Sequence, residues 1–226
     1  GVELKFLLSG RDQDQFKDKD LFEHYEYRKG LTMEIKSGKV HPLKTLVKND
    51  NIQFLKDVVS LDLTDIDLVI SDFEPVTAWA AKLRGKSCIA ISHQSAFEHD
   101  IPRVKGFVFS KLVMKLFAPA KISLGVHWHH FNQPILPPII EQHENKEVDS
   151  NLILVYMGFE KLEDVINFLL PFTHSRFMVF ARVERGFSQG NICVNPISHD
   201  EFHKNLERCS GVICNTGFEL SSECLQ

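Results

Sequence analysis

Short apolar runs alternate with amphipathic stretches along the chain. The runs predict strands at 4–9, 24–27, 67–71, 88–91, 122–126, 152–156, 177–180, 192–194 and 211–214. Several are near-continuous Val/Ile/Leu segments ending in Ser, Gly or Asn, the pattern of strands buried on both faces of a parallel sheet. Between them, helical periodicity predicts helices at 43–60, 76–83, 108–117, 162–170 and 200–209. Strand then helix, repeated, is the signature of a doubly wound α/β architecture. Residues 31–40 read instead as a small hairpin or edge strand.

A Pro-rich stretch at 133–140 is followed by the polar run 141–147, after which a buried strand restarts. This predicts two domains, 1–140 and 141–226, joined near residues 134–150. The first run lacks a Met, and the last residues read as a helix start. The expectation is a piece of a longer protein, with a first strand and Gly-rich loop missing and the second domain truncated.

Composition narrows the classes. The 226 residues are 43% hydrophobic and 25% charged, an ordinary globular balance with ample apolar surface to bury. No apolar run approaches the roughly 20 residues of a membrane span. With 26 basic and 30 acidic residues, a broadly basic nucleic-acid binder is disfavoured. The charge is uneven, net +2 over 1–140 and −6 over 141–226. Five cysteines without CxxC spacing suggest a reducing, cytoplasmic setting.

Ligands of open α/β sheets sit beyond the carboxyl ends of the strands. Asp72 and Glu74 follow the strand at 67–71. Either carboxylate is a candidate general base for an acceptor hydroxyl, or a cap of the next helix. His93 follows the neighbouring strand, as a base working near neutral pH or as a structural hydrogen bond at a helix start. His127, His129 and His130 flank Trp128. A metal there lacks a partner at any familiar spacing, and a packed connection is the competing reading. The segment 103–121 carries five Lys/Arg and no acid. It suits either a core-facing helix or contact with an anionic membrane surface.

In the second half, Gly217 opens a helix after a strand, where backbone N–H groups hold phosphate and a missing Cβ lets a diphosphate approach. Glu223 lies one to two turns further on, as a ribose-binding carboxylate or a solvated one. Residues 156–160 form a weaker strand-to-helix turn of the same kind. Neither GxGxxG nor a Walker motif is present.

The stretches Asp67-Leu68-Val69-Ile70-Ser71-Asp72-Phe73-Glu74-Pro75, Ser92-His93-Gln94 and Gly217-Phe218-Glu219-Leu220-Ser221-Ser222-Glu223 resemble a bacterial and archaeal family of MurG-like GT-B glycosyltransferases. The resemblance runs through nearly all of the chain. It implies two Rossmann-like domains, the first taking a carbohydrate or lipid-linked acceptor and the second a nucleotide sugar, a UDP-sugar foremost. It implies no metal and no other cofactor, and a cytoplasmic protein that can sit peripherally on the inner face of the membrane. It places Glu223 on the donor ribose, Thr216, Gly217 and Ser222 near the diphosphate, and Ile197 and Ser198 against the base. His93 and Gln94, with Asp72 and Glu74 on the neighbouring loop, fall on the acceptor side. The family's first Gly-rich loop and its Gln-rich donor motif are absent, so little turnover is expected of the piece alone. Rival readings are a nucleotide-sugar 2-epimerase on the same scaffold and a non-catalytic two-domain ligand-binding protein.

Overall fold

The computed structural model describes residues 1–13, 16, 22–36, 39–103, 108–140, 147–215 and 217–225. The chain divides into two compact units, Gly1–Ile139 and Ile140–Gln226.

The first unit opens with β1 (Phe6–Leu8) and β2 (Tyr25–Tyr27), paired in parallel. The predicted hairpin is present as β3 (Ile35–Lys36) and β4 (Lys39–Val40). The helix expected over 43–60 is two helices, α1 (Pro42–Lys48) and α2 (Asn51–Ser60). The break has a side-chain cause. The Asn49 amide accepts from the Thr32 N–H at 2.7 Å and donates to the Thr32 carbonyl at 2.8 Å. Asp50 then caps α2 by accepting from the Gln53 N–H at 2.9 Å.

The main sheet of this unit runs β5 (Leu68–Ser71), β6 (Ser87–Ser92), β7 (Ile122–Val126) and β8 (Ile135–Leu136), all parallel and in chain order. Strand β8 falls inside the Pro-rich stretch read as a connection. Between β5 and β6 lies α3 (Pro75–Arg84), with Pro75 in its first turn and Gly85 ending it at φ 67°. Its fully buried Val76, Ala78, Ala80 and Ala81 pack with Val58, Leu61, Val69 and Cys88. The four-residue α4 (His93–Ala96) and α5 (Val108–Phe117) lead from β6 to β7. Strand β5 departs from the expected two-sided burial: Val69 is buried, but Ile70 is 61% exposed.

The second unit contains β9 (Asp149–Tyr156), α6 (Leu162–Leu169), β10 (Arg176–Ala181), β11 (Phe187–Gln189) and β12 (Ile192–Pro196). It ends in α7 (His199–Leu206), β13 (Cys209–Cys214) and α8 (Phe218–Glu223). The sheet order is β11-β12-β10-β9-β13, parallel except for β11. The chain steps outward from β9 through β10 to β12, then returns to lay β13 on the other side of β9. That reversal is the switch point of a doubly wound, Rossmann-like sheet. Leu152, Leu154, Val155, Leu169, Phe177, Val179, Ile192 and Val194 are buried here. Cys209, expected to end a helix, instead starts β13, opposite Asp149 of β9.

Candidate functional site

In the first unit the candidates stand at the carboxyl ends of β5 and β6, as the sequence places them. Glu74 is the N-cap of α3, and its carboxylate is committed to that task. It accepts from the Val76 and Thr77 N–H groups at 2.7 Å each and from the Thr77 hydroxyl at 2.6 Å. The Ser9 hydroxyl, at the end of β1, donates to it as well. Four donors use the roughly four lone-pair sites of a carboxylate. The capping reading therefore describes Glu74, which ties the ends of β1 and β5 together. Asp72 is exposed on the same loop, and Phe73 beside it takes a left-handed φ of 53°. A bulky residue in that region costs on the order of 1–2 kcal/mol. Phe73 is held there by stacking on Phe117, 5.0 Å between ring centroids.

His93 turns toward β7. Its Nδ1 lies 3.2 Å from the Val126 carbonyl oxygen. A carbonyl only accepts, so Nδ1 carries the hydrogen of this contact. Ser92 caps α4 by accepting from the Ser95 N–H at 3.0 Å, which fixes where His93 leaves the strand. Gly125 allows α4 to lie against β7: a Cβ there would stand 2.6 Å from Ala96 Cα. The His93 ring packs on Phe97 at 5.2 Å and His127 at 5.8 Å. His93 and Glu74 thus face different neighbours, one β7 and the other β1 and α3.

His127 is half-buried one residue past the end of β7. Burial first, and then the nearby His129, push its pKa below the ordinary imidazole value. Among the described residues no group of three or more His, Cys, Asp or Glu is placed to hold a metal ion.

In the second unit the ends of β9, β10 and β12 enclose a cavity of about 200 Å³. Tyr156 ends β9 with Gly158 and Glu160 just beyond it, Arg182 follows β10, and Ile197 follows β12. Phe202 of α7 packs edge-on against Tyr156 at 5.7 Å and Phe180 at 5.3 Å. Of the residues expected to bind a donor, Ile197 lines this cavity and Ser198 is the N-cap of α7. Arg182 was not among the expected residues. The strand-end rule applied to the strand at 177–180 would have found it.

Gly217, Ser222 and Glu223 stand at the other side of the switch point, on α8. Thr216 lies outside the described residues. Gly217 is the exposed N-cap of α8 at φ −72°, and among the described residues a Cβ there would meet the Asn215 carbonyl at 3.8 Å. Neither backbone strain nor crowding demands a glycine at this position. Ser222 is 1% exposed and its hydroxyl donates to the Phe218 carbonyl at 2.6 Å, so it packs the helix from inside. Glu223 is half-buried at the end of α8. Asn215 spans the switch point, accepting from the Phe159 N–H at 3.3 Å and donating to Glu160 at 3.4 Å.

No curated protein matches the chain. The family model described as glycosyl transferase family 1 matches residues 1–226, the whole of this chain. Parallel α/β units with candidate groups gathered at strand ends accord with that match, and the chain belongs to this family of glycosyltransferases.

Proposed function

We propose that this glycosyltransferase passes a sugar from a nucleoside-diphosphate donor, a UDP-sugar foremost, to a hydroxyl of a carbohydrate or lipid-linked acceptor, without a metal. The observation that carries the donor reading is the cavity at the ends of β9, β10 and β12, in a chain matched throughout by the family model. Its volume of about 200 Å³ is smaller than the ~300–1,000 Å³ of sites for drug-sized ligands, and suits a base-sized part of a donor. Ile197 and Ser198 lie against the base. Arg182, exposed beside the cavity, takes the diphosphate with the backbone of Gly217, where the missing Cβ leaves room. Glu223 accepts from the ribose hydroxyls.

On the acceptor side His93 is the general base and Asp72 orients the hydroxyl. The acceptor O–H proton moves to His93 Nε2. The oxygen lone pair forms a bond to the anomeric carbon, and the bond from that carbon to the diphosphate oxygen breaks with its electron pair going to the nucleoside diphosphate. Glu74 serves this step from behind, by fixing the loop that carries Asp72.

Among the described residues no helix is long and apolar enough to cross a membrane. Peripheral contact, as in MurG-like enzymes of the cell envelope, falls to α5 and its surroundings. There Leu112 and Leu116 are 55% and 52% exposed beside Lys115.

A thermal-shift screen against UDP, GDP, TDP, CDP and their sugars, with and without EDTA, tests the reading. A ligand of the native state raises the melting temperature. The expected result is a shift from one nucleotide family that EDTA leaves unchanged. No shift from any of them overturns the reading. Products formed from donor alone, without acceptor, would reveal an epimerase instead.

A further inference from the structure

The loop after β7 holds five consecutive rings, His127, Trp128, His129, His130 and Phe131. They pack on one another. Trp128 meets His127 edge-on at 5.6 Å, Phe131 approaches His127 at 5.4 Å and His129 at 4.6 Å, and His129 stacks on His130 at 5.0 Å and 9°. Trp128 is nevertheless 50% exposed, and His129 and His130 are exposed too.

The backbone fixes the chemistry these rings present. Each imidazole accepts, at Nδ1, the N–H of the residue two ahead. The distance is 3.3 Å for His127 and 2.9 Å for both His129 and His130. A nitrogen that accepts from N–H carries no proton, so in each neutral ring the hydrogen is on Nε2. The loop thus offers N–H donors of set tautomer beside an exposed indole. It is also held in place. Phe131 and Asn132 both take left-handed φ, 49° and 55°, in a turn closed by the Gln133 N–H on the His130 carbonyl at 2.8 Å. Phe131 is anchored against the buried Ala96, Ile101 and Ile135. Phe131, a bulky residue in the left-handed region, persists there only where the surroundings over-determine it, and such strain concentrates at binding sites.

We propose that residues 127–131 form a carbohydrate-binding platform, on which Trp128 stacks against the C–H face of a pyranose while the His129 and His130 Nε2–H groups bind its hydroxyls. A flat apolar ring beside fixed polar donors matches a pyranose, which has an apolar face and a rim of hydroxyls. A purely apolar partner would leave the imidazole donors desolvated and unpaired. The His127 ring touches His93, so the platform begins beside the proposed base. Naming the bound sugar as the acceptor rests on the activity proposed above; carbohydrate binding itself does not.

The test uses the full chain and methyl pyranosides of glucose, mannose, galactose and N-acetylglucosamine. Saturation-transfer NMR reads which sugar protons touch the protein. Emission of a Trp79→Phe variant, in which Trp128 is the one remaining tryptophan, reads affinity. The expected result is saturation of the C–H protons of at least one pyranoside and a change in Trp128 emission. Affinity, titrated by saturation transfer in these variants because they lack the Trp128 fluorophore, falls about tenfold in Trp128→Ala and less in Trp128→Phe, which keeps a ring. Binding that is equal in wild type and Trp128→Ala overturns the proposal. So does the absence of transfer to every pyranoside in wild type, a result that needs no variant to fold. UDP-sugar binding, measured in parallel by thermal shift, reports separately on the glycosyltransferase reading. A nucleotide shift without pyranoside contact sinks the platform alone; pyranoside contact without a nucleotide shift sinks the donor reading alone.

Discussion

His93 and Val126, 33 residues apart, are joined from imidazole Nδ1 to carbonyl oxygen at 3.2 Å. The carbonyl does for this imidazole what a carboxylate does in many catalytic histidines: it fixes the tautomer and aims the other nitrogen. Replacing His93 by Gln keeps a polar side chain and removes the proposed base. Turnover by the protein is expected to fall about 10²–10⁴-fold with donor affinity unchanged. Initial rates and a donor thermal shift on the same preparation check it. Unchanged turnover would move the base elsewhere.

Gly125 carries no side chain toward a substrate, yet it positions His93. A Cβ at this residue would meet Ala96 Cα at 2.6 Å and Ala96 Cβ at 2.9 Å, both parts of a buried residue on α4. Gly125→Val is expected to push α4 off β7, cost about 1–3 kcal/mol of stability and impair turnover. Donor binding, read in the second unit, should survive. Thermal melting with and without nucleotide separates the two effects.

Glu74 and Asp72 are two residues apart and should respond differently. Glu74→Ala removes the cap of α3 and the partner of Ser9, and is expected to cost about 1–2 kcal/mol. Asp72→Ala, on an exposed loop position, should cost less stability than Glu74→Ala and act on turnover instead. Denaturant melts of the two variants decide this. Equal stability losses would mean that Asp72, too, is part of the scaffold.

The pattern of strands was readable because burial writes itself into composition: β7 and α5 match their predicted bounds to the residue. What the pattern missed depends on partners far along the chain. The break between α1 and α2 comes from Asn49 bonding Thr32, 17 residues away. Strand β8 hides among prolines because only pairing with Gly125 and Val126 makes it a strand. Strand β11 is wholly exposed, so no apolar run marks it, although Gly190-Asn191 in the tight turn to β12, with Gly190 at φ 60°, is a hairpin signal. The same division runs through the candidate site. That His93 ends a strand is local information. That its ring meets Val126 and His127, and that Glu74 holds Ser9, are tertiary facts.

His127 gives a pH dependence with a definite sign. Burial, and then the neighbouring His129, lower its pKa in the folded state below the ordinary 6.5. The unfolded chain therefore binds this proton more readily. The stabilising contribution is complete above the unfolded pKa and is lost as pH falls from there through the folded one. Protonation at Nδ1 also sets a donor against the His129 N–H that it now accepts. The melting temperature should fall between about pH 7 and 5, and His127→Gln should flatten part of that fall. An identical pH profile in the variant would assign the loss to other groups.

Arg182 separates a nucleotide site from a merely apolar cavity. It lies beyond β10 at the rim of the cavity, with an exposed side chain. A guanidinium there can meet two oxygens of a diphosphate in fork geometry, and hydrogen bonds to charged groups contribute about 1.5–3 kcal/mol each. Arg182→Ala should therefore weaken UDP binding about 10–100-fold. Uridine, which has the base and ribose but no phosphate, should bind the variant and the wild type alike. Raising the salt concentration should weaken UDP more in wild type than in the variant, because the lost term is the charged one. Arg182→Lys keeps the charge but not the fork and should fall between the two. Calorimetric titration of the three proteins with the two ligands distinguishes the outcomes. Equal losses for UDP and uridine would show that the arginine shapes the cavity rather than holding phosphate, and the diphosphate would then fall to the backbone at Gly217.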